Sequence, residues 1–260
     1  MRKSITCMFQ DMTRLYHFTN YESARLIIKS RKLRFGQSCS LNDLIESNKV
    51  IWERVLSEEL VEDCNGQFAE QEMHRYQQLS FSQDKEYDGR DYLGFDLHTM
   101  WGLYADKGYG VCLVFDKDKL ILGPNDYANN VHYYDIIPQC FAFNNRSKSG
   151  IKSEVWRKKD EIFFNKRKEW EYEQEYRVIR RAGKINAYEY LDISDSLSFV
   201  IVCKDCSVNG LESMFNSDIY HELHCLDKNL PILTYEYGLD GYTLFENYMV
   251  PIWAEQLGYL

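Results

Sequence analysis

Val111-Cys112-Leu113-Val114-Phe115 is the stretch that most restricts what this chain can fold into. It is too short for an amphipathic helix and far short of the roughly 20 residues that a membrane span needs. Its length and its Val and Phe content read as a strand buried on both faces, running over Tyr109–Phe115. Other short strands are expected at Arg14–Phe18, Lys32–Phe35, Gln78–Ser82, Asn130–Tyr134, Glu173–Arg180, Tyr188–Leu191, Phe199–Cys203 and Ile232–Tyr237. Helices are expected between them. Thr19-Asn20-Tyr21-Glu22 has the T-x-x-E spacing of a capping box, with Thr19 as cap, and Ala24, Ile27 and Ile28 form an apolar stripe ending near Arg31. A helical stretch opens at Leu41–Glu46 and continues through Ile51 and Val55, and residues 62–77 read as helix or loop. His98–Ala105 is a short helix stopped by Gly108, Lys152–Lys168 a long charged one, and helix signals return at Leu211–Tyr220. Residues 83–96 read as an exposed loop.

Short strands mixed with helices, without a regular βαβ repeat, predict an α+β fold. No internal repeat and no Gly/Ser/Pro-rich linker interrupts the 260 residues, so a single domain over 1–260 is expected, with 182–260 completing the sheet. The chain is 45% hydrophobic, enough for a sizeable core and too much for a disordered chain. The N-terminal MRKSITCMFQDM has no apolar h-region, and the 8 Cys are scattered, so a soluble cytoplasmic protein with reduced thiols and no membrane partner is expected.

The formal net charge of −9 argues against a broad polyanion-binding surface, but it is unevenly distributed. Residues 1–35 carry +6 and residues 146–181 carry +5, against −11 over 36–145 and −9 over 182–260. If the two basic segments meet in the fold, the pattern suits a focused anion pocket such as one for a dinucleotide.

Three constellations could carry chemistry. In Trp170-Glu171-Tyr172-Glu173-Gln174-Glu175-Tyr176-Arg177, an extended chain would put Glu171, Glu173, Glu175 and Arg177 on one face. Stacked like charges raise one another's pKa unless cations intervene. This is either a solvated face with Arg177 pairing to a Glu, or a catalytic carboxylate beside a second one and oriented by Arg177. His17 lies where a strand runs into a capped helix, as a structural residue or as a ligand contact. Trp101 and Tyr104 share a helical face, for core packing or for stacking on a flat ring. Cys203-x-x-Cys206 and His221-x-x-His224-Cys225 offer zinc-type ligands, but two residues between the His are fewer than the usual three to five, and no metal is expected. No G-x-G-x-x-G, P-loop, G-x-S-x-G or H-E-x-x-H occurs.

The blocks LYHFTNYESARLIIKSRKLRF, SLNDLIE, LSFS, MWGLYADKGYGVCLVF and WEYEQEYRVI, in that order, resemble a bacterial family catalogued only as domain of unknown function 2971, often met near mobile elements and phage-defence genes. The motif order is also similar to the ADP-ribosyltransferase superfamily. That resemblance implies a split ADP-ribosyltransferase-like β-sheet core with helical insertions. It implies NAD as substrate, and ADP-ribosyl transfer or NAD hydrolysis in a defence or toxin setting. It implies a protein or nucleic-acid acceptor and a neutralising partner protein. By the same resemblance His17 would hold the NAD ribose and nicotinamide amide, Glu175 would be the catalytic carboxylate, and Glu173 would orient the acceptor or Glu175. Thr19, Arg14, Arg34, Ser82, Trp101, Tyr104 and Arg177 would complete the dinucleotide site. The residues alone also leave open a non-enzymatic nucleotide or nucleic-acid binding module, and a metal-dependent nuclease using Glu171, Glu173 and Glu175.

Overall fold

The structure is a computed structural model, and it describes residues 12–37, 64–87, 90–136, 147–184, 187–203, 219, 221–238 and 241–246. The fold is mixed α/β, with a central multi-stranded sheet and several helices. From the N-terminus, β1 (Arg14–Thr19) leads into α1 (Tyr21–Ser30), β2 (Lys32–Arg34) and β3 (Gly36–Gln37). Next come α2 (Cys64–Met73), β4 (Tyr76–Gln83), β5 (Lys85–Tyr87) and β6 (Arg90–Tyr92), then α3 (His98–Tyr104) and β7 (Val111–Asp116). β8 (Asp126–Asn130), β9 (His132–Tyr134), α4 (Lys148–Arg157), α5 (Lys159–Phe163), β10 (Asn165–Arg167) and β11 (Glu175–Arg181) follow. β12 (Tyr190–Asp192), β13 (Leu197–Cys203), β14 (Ile232–Gly238) and β15 (Gly241–Glu246) close the order.

The chain divides into two compact units, neither of them one continuous stretch. The first takes residues 1–32, 81–121 and 192–260, with strand order β15-β14-β13-β7-β1-β4. β7 is buried at every position, as its apolar run requires. It pairs antiparallel with β1 from Arg14↔Asp116 to Thr19↔Val111, and antiparallel with β13 on its other edge. α1 packs because Ala24 and Ile28, one turn apart, form its buried stripe. Its cap is Asn20, whose side chain accepts from the Ser23 N–H, and not Thr19 as expected. Thr19 is held in the β1 ladder opposite Val111, so the strand runs one residue further and the cap shifts by one. Residues 83–96 are not a bare loop: β5 and β6 pair as a hairpin, and Phe95 beyond them is fully buried.

The second unit takes residues 33–80 and 122–191, with β3 beside β4 and the order β4-β11-β8. Its core joins Ala69 and Met73 of α2, Tyr76 of β4, Ile151 and Val155 of α4, Ile162 and Phe163 of α5, and Ile179 of β11. The long helix expected over Lys152–Lys168 is broken. α4 ends at Arg157, α5 is a separate turn ending at Phe163, and Asn165–Arg167 is extended and pairs in parallel with β9. The strand expected from Glu173 begins at Glu175, because residues 168–173 form a 3-10 turn and Gln174 is left-handed at φ 49°. The helix expected over residues 41–60 lies outside the described residues, and so does that over 211–220 apart from Ile219. No described helix is long and apolar enough to cross a membrane.

Candidate functional site

The most concentrated chemistry among the described residues is a cluster of buried charges in the second unit. β11 opens on Glu175, places Arg177 on the same face, and follows directly on the 3-10 turn that ends in Glu173. β9 and β10 lie side by side with Lys166 opposite Tyr133, and both reach this segment. Arg177 grips Glu175 with two parallel bonds, Nε to Oε1 at 2.7 Å and Nη2 to Oε2 at 2.9 Å. Its Nη1 donates to the Phe163 carbonyl. Lys166 Nζ sits 2.5 Å from Glu173 Oε2 and 3.5 Å from Glu175 Oε2, with the Trp170 ring centroid 4.7 Å away. Ser80 Oγ donates to Glu175 Oε1 at 2.5 Å, and the Glu175 N–H donates to the Tyr133 hydroxyl at 2.9 Å. The side chains of Arg177 and Glu175 are 1% and 3% exposed, so these contacts are made away from bulk water.

Two carboxylates and two cations are thus brought together where unpaired charge would be very costly. Burial pushes the Glu175 carboxyl up, but Arg177 and then Lys166, with hydrogen bonds from Arg177 and Ser80, outweigh it and hold the carboxyl well below its ordinary value. Burial, and then the Glu175 charge, push the Tyr133 phenol up, so it stays protonated. The arrangement can keep a fixed negative charge in a water-poor place. It does not offer a proton from Glu175 near neutral pH.

The sequence pointed to Glu173, Glu175 and Arg177, and the fold does bring them together. Glu171 lies two residues before Glu173 in the 3-10 turn, where its backbone carbonyl accepts from the Gln174 N–H. The expected four-member face of an extended strand is therefore not formed. Lys166, Ser80 and Tyr133 were missed. Lys166 fell inside a helical-looking stretch, and Ser80 had only the LSFS strand pattern to mark it.

The other predicted residues have these surroundings. Arg34 of β2 belongs to the second unit, with its guanidinium 5.0 Å from the Tyr188 ring centroid. The rest lie in the first unit. His17 is half-buried in β1, with its ring 5.9 Å from that of Phe81. Thr19 ends β1 and is buried. Arg14 pairs with Asp84 at 2.7 Å, and the Tyr16 hydroxyl and Gly94 N–H also donate to that carboxylate. Ser82 is buried, and its hydroxyl has no hydrogen-bond partner among the described residues. Trp101 is a core residue: it stacks on Tyr235 at 5.7 Å, meets Phe18 edge-on, and donates Nε1–H to the Phe95 carbonyl at 2.7 Å. Tyr104, at the end of α3, is half-buried.

Four arginines of the two basic segments are seated on carboxylates of the acidic ones. Arg14 meets Asp84, Arg31 meets Asp227, Arg180 meets Asp126 and Arg181 meets Glu72, each pair joining a basic segment to an acidic one. Part of the charge asymmetry along the chain is thus long-range ion pairing. Among the described residues no group of three or more His, Cys, Asp or Glu is arranged to hold a metal ion. Cys206 lies outside the described residues, and Cys203 is a buried thiol.

Residues 100–178 match the family described as Protein of unknown function (DUF2971). The matched stretch begins in α3 and ends in β11, so it contains Tyr133, Lys166, Glu173, Glu175 and Arg177, while His17 and Ser80 lie before it. No curated protein and no solved structure matches the chain.

Proposed function

We propose that the protein carries out NAD-dependent ADP-ribosyl transfer or NAD hydrolysis, on a split ADP-ribosyltransferase-like sheet core and in a bacterial defence or toxin setting. One observation carries the reading: Glu175 is a buried carboxylate held ionised next to a second carboxylate, Glu173. Breaking the bond between nicotinamide and ribose develops positive charge on the sugar, as in glycoside hydrolysis. A fixed negative charge stabilises that charge far better in a water-poor site than in water. Glu175 would supply it, and Glu173 would orient the acceptor or Glu175. Arg177 would hold Glu175 in place.

A second reading is favoured by a different observation. Both oxygens of Glu175 are already engaged, Oε1 by Ser80 and Arg177, Oε2 by Arg177 and Lys166. A carboxylate so fully occupied suits a non-enzymatic nucleotide-binding module, in which the cluster only builds the site. One experiment separates the two. The protein and its Glu175→Gln variant are incubated with NAD labelled in the nicotinamide and in the adenosine, with a broad panel of protein and nucleic-acid acceptors. Transfer chemistry predicts nicotinamide release that falls about 10²–10³-fold in the variant, the scale for losing one electrostatic stabiliser. Saturable binding without release, unchanged in Glu175→Gln, supports the binding module and ends the transferase reading.

A further inference from the structure

Lys166 is a member of the cluster that touches both carboxylates. Arg177 is committed to Glu175 and to the Phe163 carbonyl, whereas the Lys166 ammonium is seated 2.5 Å from Glu173 and 3.5 Å from Glu175. The groups around it come from several elements: Glu173, Tyr172 and the Trp170 ring from the 3-10 turn, Glu175 from β11, and Tyr133 as its register partner on β9, while Arg177 and Ser80 bind Glu175 in turn. The Lys166 side chain is 7% exposed, so water cannot take over its role cheaply. With Lys166 present, the two carboxylates meet two cations. Removing it takes away a cation that contacts both of them and leaves the Arg177 guanidinium, bound in two-pronged fashion to Glu175.

From this geometry we propose that Lys166 is a positioning residue: it holds Glu173 beside Glu175 and keeps the two as a doubly charged pair. It acts through the carboxylates and need not touch a substrate. Its consequence for turnover rests on the transferase reading above, but its effect on the carboxylates does not. A lysine whose removal makes two carboxylates share one proton would weaken the fixed negative charge and leave ligand contacts made elsewhere intact.

The test uses the full chain as Lys166→Met, Lys166→Arg and the double variant Lys166→Met/Glu173→Gln. Carboxyl protonation is followed by carbon-13 NMR of glutamate-labelled protein, and thermal unfolding is recorded in parallel. In Lys166→Met the pair should take up one proton at a pH about one to three units higher than in the parent protein, the range for losing an adjacent opposite charge. Lys166→Arg should keep the parent titration. The double variant should regain most of the thermal stability that Lys166→Met loses, because the unpaired charge is gone. If Lys166→Met does not fold but the double variant does, the proposal is upheld on charge pairing alone. A parent-like titration in Lys166→Met overturns it. So does a double variant that is no more stable than the single one, or fails to fold as well. NAD turnover is a separate readout, where a lowered kcat with an unchanged KM is expected for Lys166→Met. A parent protein that does not turn over NAD removes the transferase reading while the carboxyl titration still decides the role of Lys166.

Discussion

In the first unit, the polar atoms of the buried aromatic cluster reach neutral or half-buried partners. Trp101 Nε1 donates to a backbone carbonyl at 2.7 Å, and the Tyr235 hydroxyl donates to Asp96 at 2.7 Å. In the charged cluster of the second unit, Lys166, Glu173, Glu175 and Arg177 are buried ionised side chains bound to one another, with Glu175 and Arg177 nearly unexposed. The two arrangements differ in what they demand. A hydrogen bond of the first kind contributes on the order of 1 kcal/mol net. A buried ion pair roughly breaks even against apolar residues of similar size, yet losing one partner alone costs about 3–5 kcal/mol. Replacing a buried ion pair by well-packed apolar residues of similar volume is often neutral, so stability does not by itself call for four charges there. That makes the second cluster, and not the aromatic one, the place to look for chemistry.

The sharpest way to break this contrast is to remove one partner from each cluster. Arg177→Met strands the Glu175 carboxylate in the core and should cost about 3–5 kcal/mol in urea unfolding. Trp101→Phe loses the bond to the Phe95 carbonyl and some volume, and should cost about 1–2 kcal/mol. Equal losses would show that the charged cluster is no more demanding than the aromatic one.

A smaller effect is expected in acid. The folded Glu175 carboxyl lies below its unfolded value of about 4.3. Its contribution is therefore complete above that pH and is lost as pH falls toward the folded value. Over that window it should remove about 1.4 kcal/mol of stability per pH unit at most. Glu175→Gln cannot titrate, so its stability should fall less steeply than the parent's in the same window. Parallel slopes in the two proteins would mean that the carboxyl is not held down by its neighbours.

How far the sequence revealed this follows from the kind of interaction involved. Local pattern was legible: the β7 run, the β1-to-α1 corner and the strand placing Glu175 and Arg177 on one face were all visible as short-range spacing. The cap was misplaced by one residue because the ladder with Val111, 92 positions along the chain, decides where β1 ends. Lys166 was missed because Ile162 and Phe163 continue a helical rhythm from Val155 and Trp156, while the fold breaks the helix at Lys158 and again at Phe164. Pairing between β9 and β10 then turns Lys166 toward the carboxylates, and no local pattern encodes that pairing. The basic excess around His17 and Glu175 suggested an anion pocket, yet Asp84, Asp227, Asp126 and Glu72 meet four of its arginines from distant segments.

The finest test of the second cluster concerns Gln174, which joins the 3-10 turn to β11 and sits between the two carboxylates. It is left-handed, with φ 49° and ψ 49°, a region that costs a residue with a Cβ about 1 kcal/mol or more. Its N–H and its Nε2 both donate to the Glu171 carbonyl, the latter at 2.5 Å, which offsets part of that cost. Gln174→Gly relieves the strain but gives up the side-chain bond and gains freedom in the unfolded chain, so stability should change by no more than about 1 kcal/mol either way. Gln174→Val cannot make that bond and carries a branched Cβ, which makes a positive φ a true outlier, so it should cost about 2 kcal/mol. Carboxyl titration should stay parent-like in Gln174→Gly, since glycine can keep the turn that delivers Glu173 and Glu175 to Lys166. If Gln174→Val unfolds no more easily than Gln174→Gly, the left-handed turn is not what sets this meeting of charges. The pairing of β9 with β10 would then have to hold the cluster together without it.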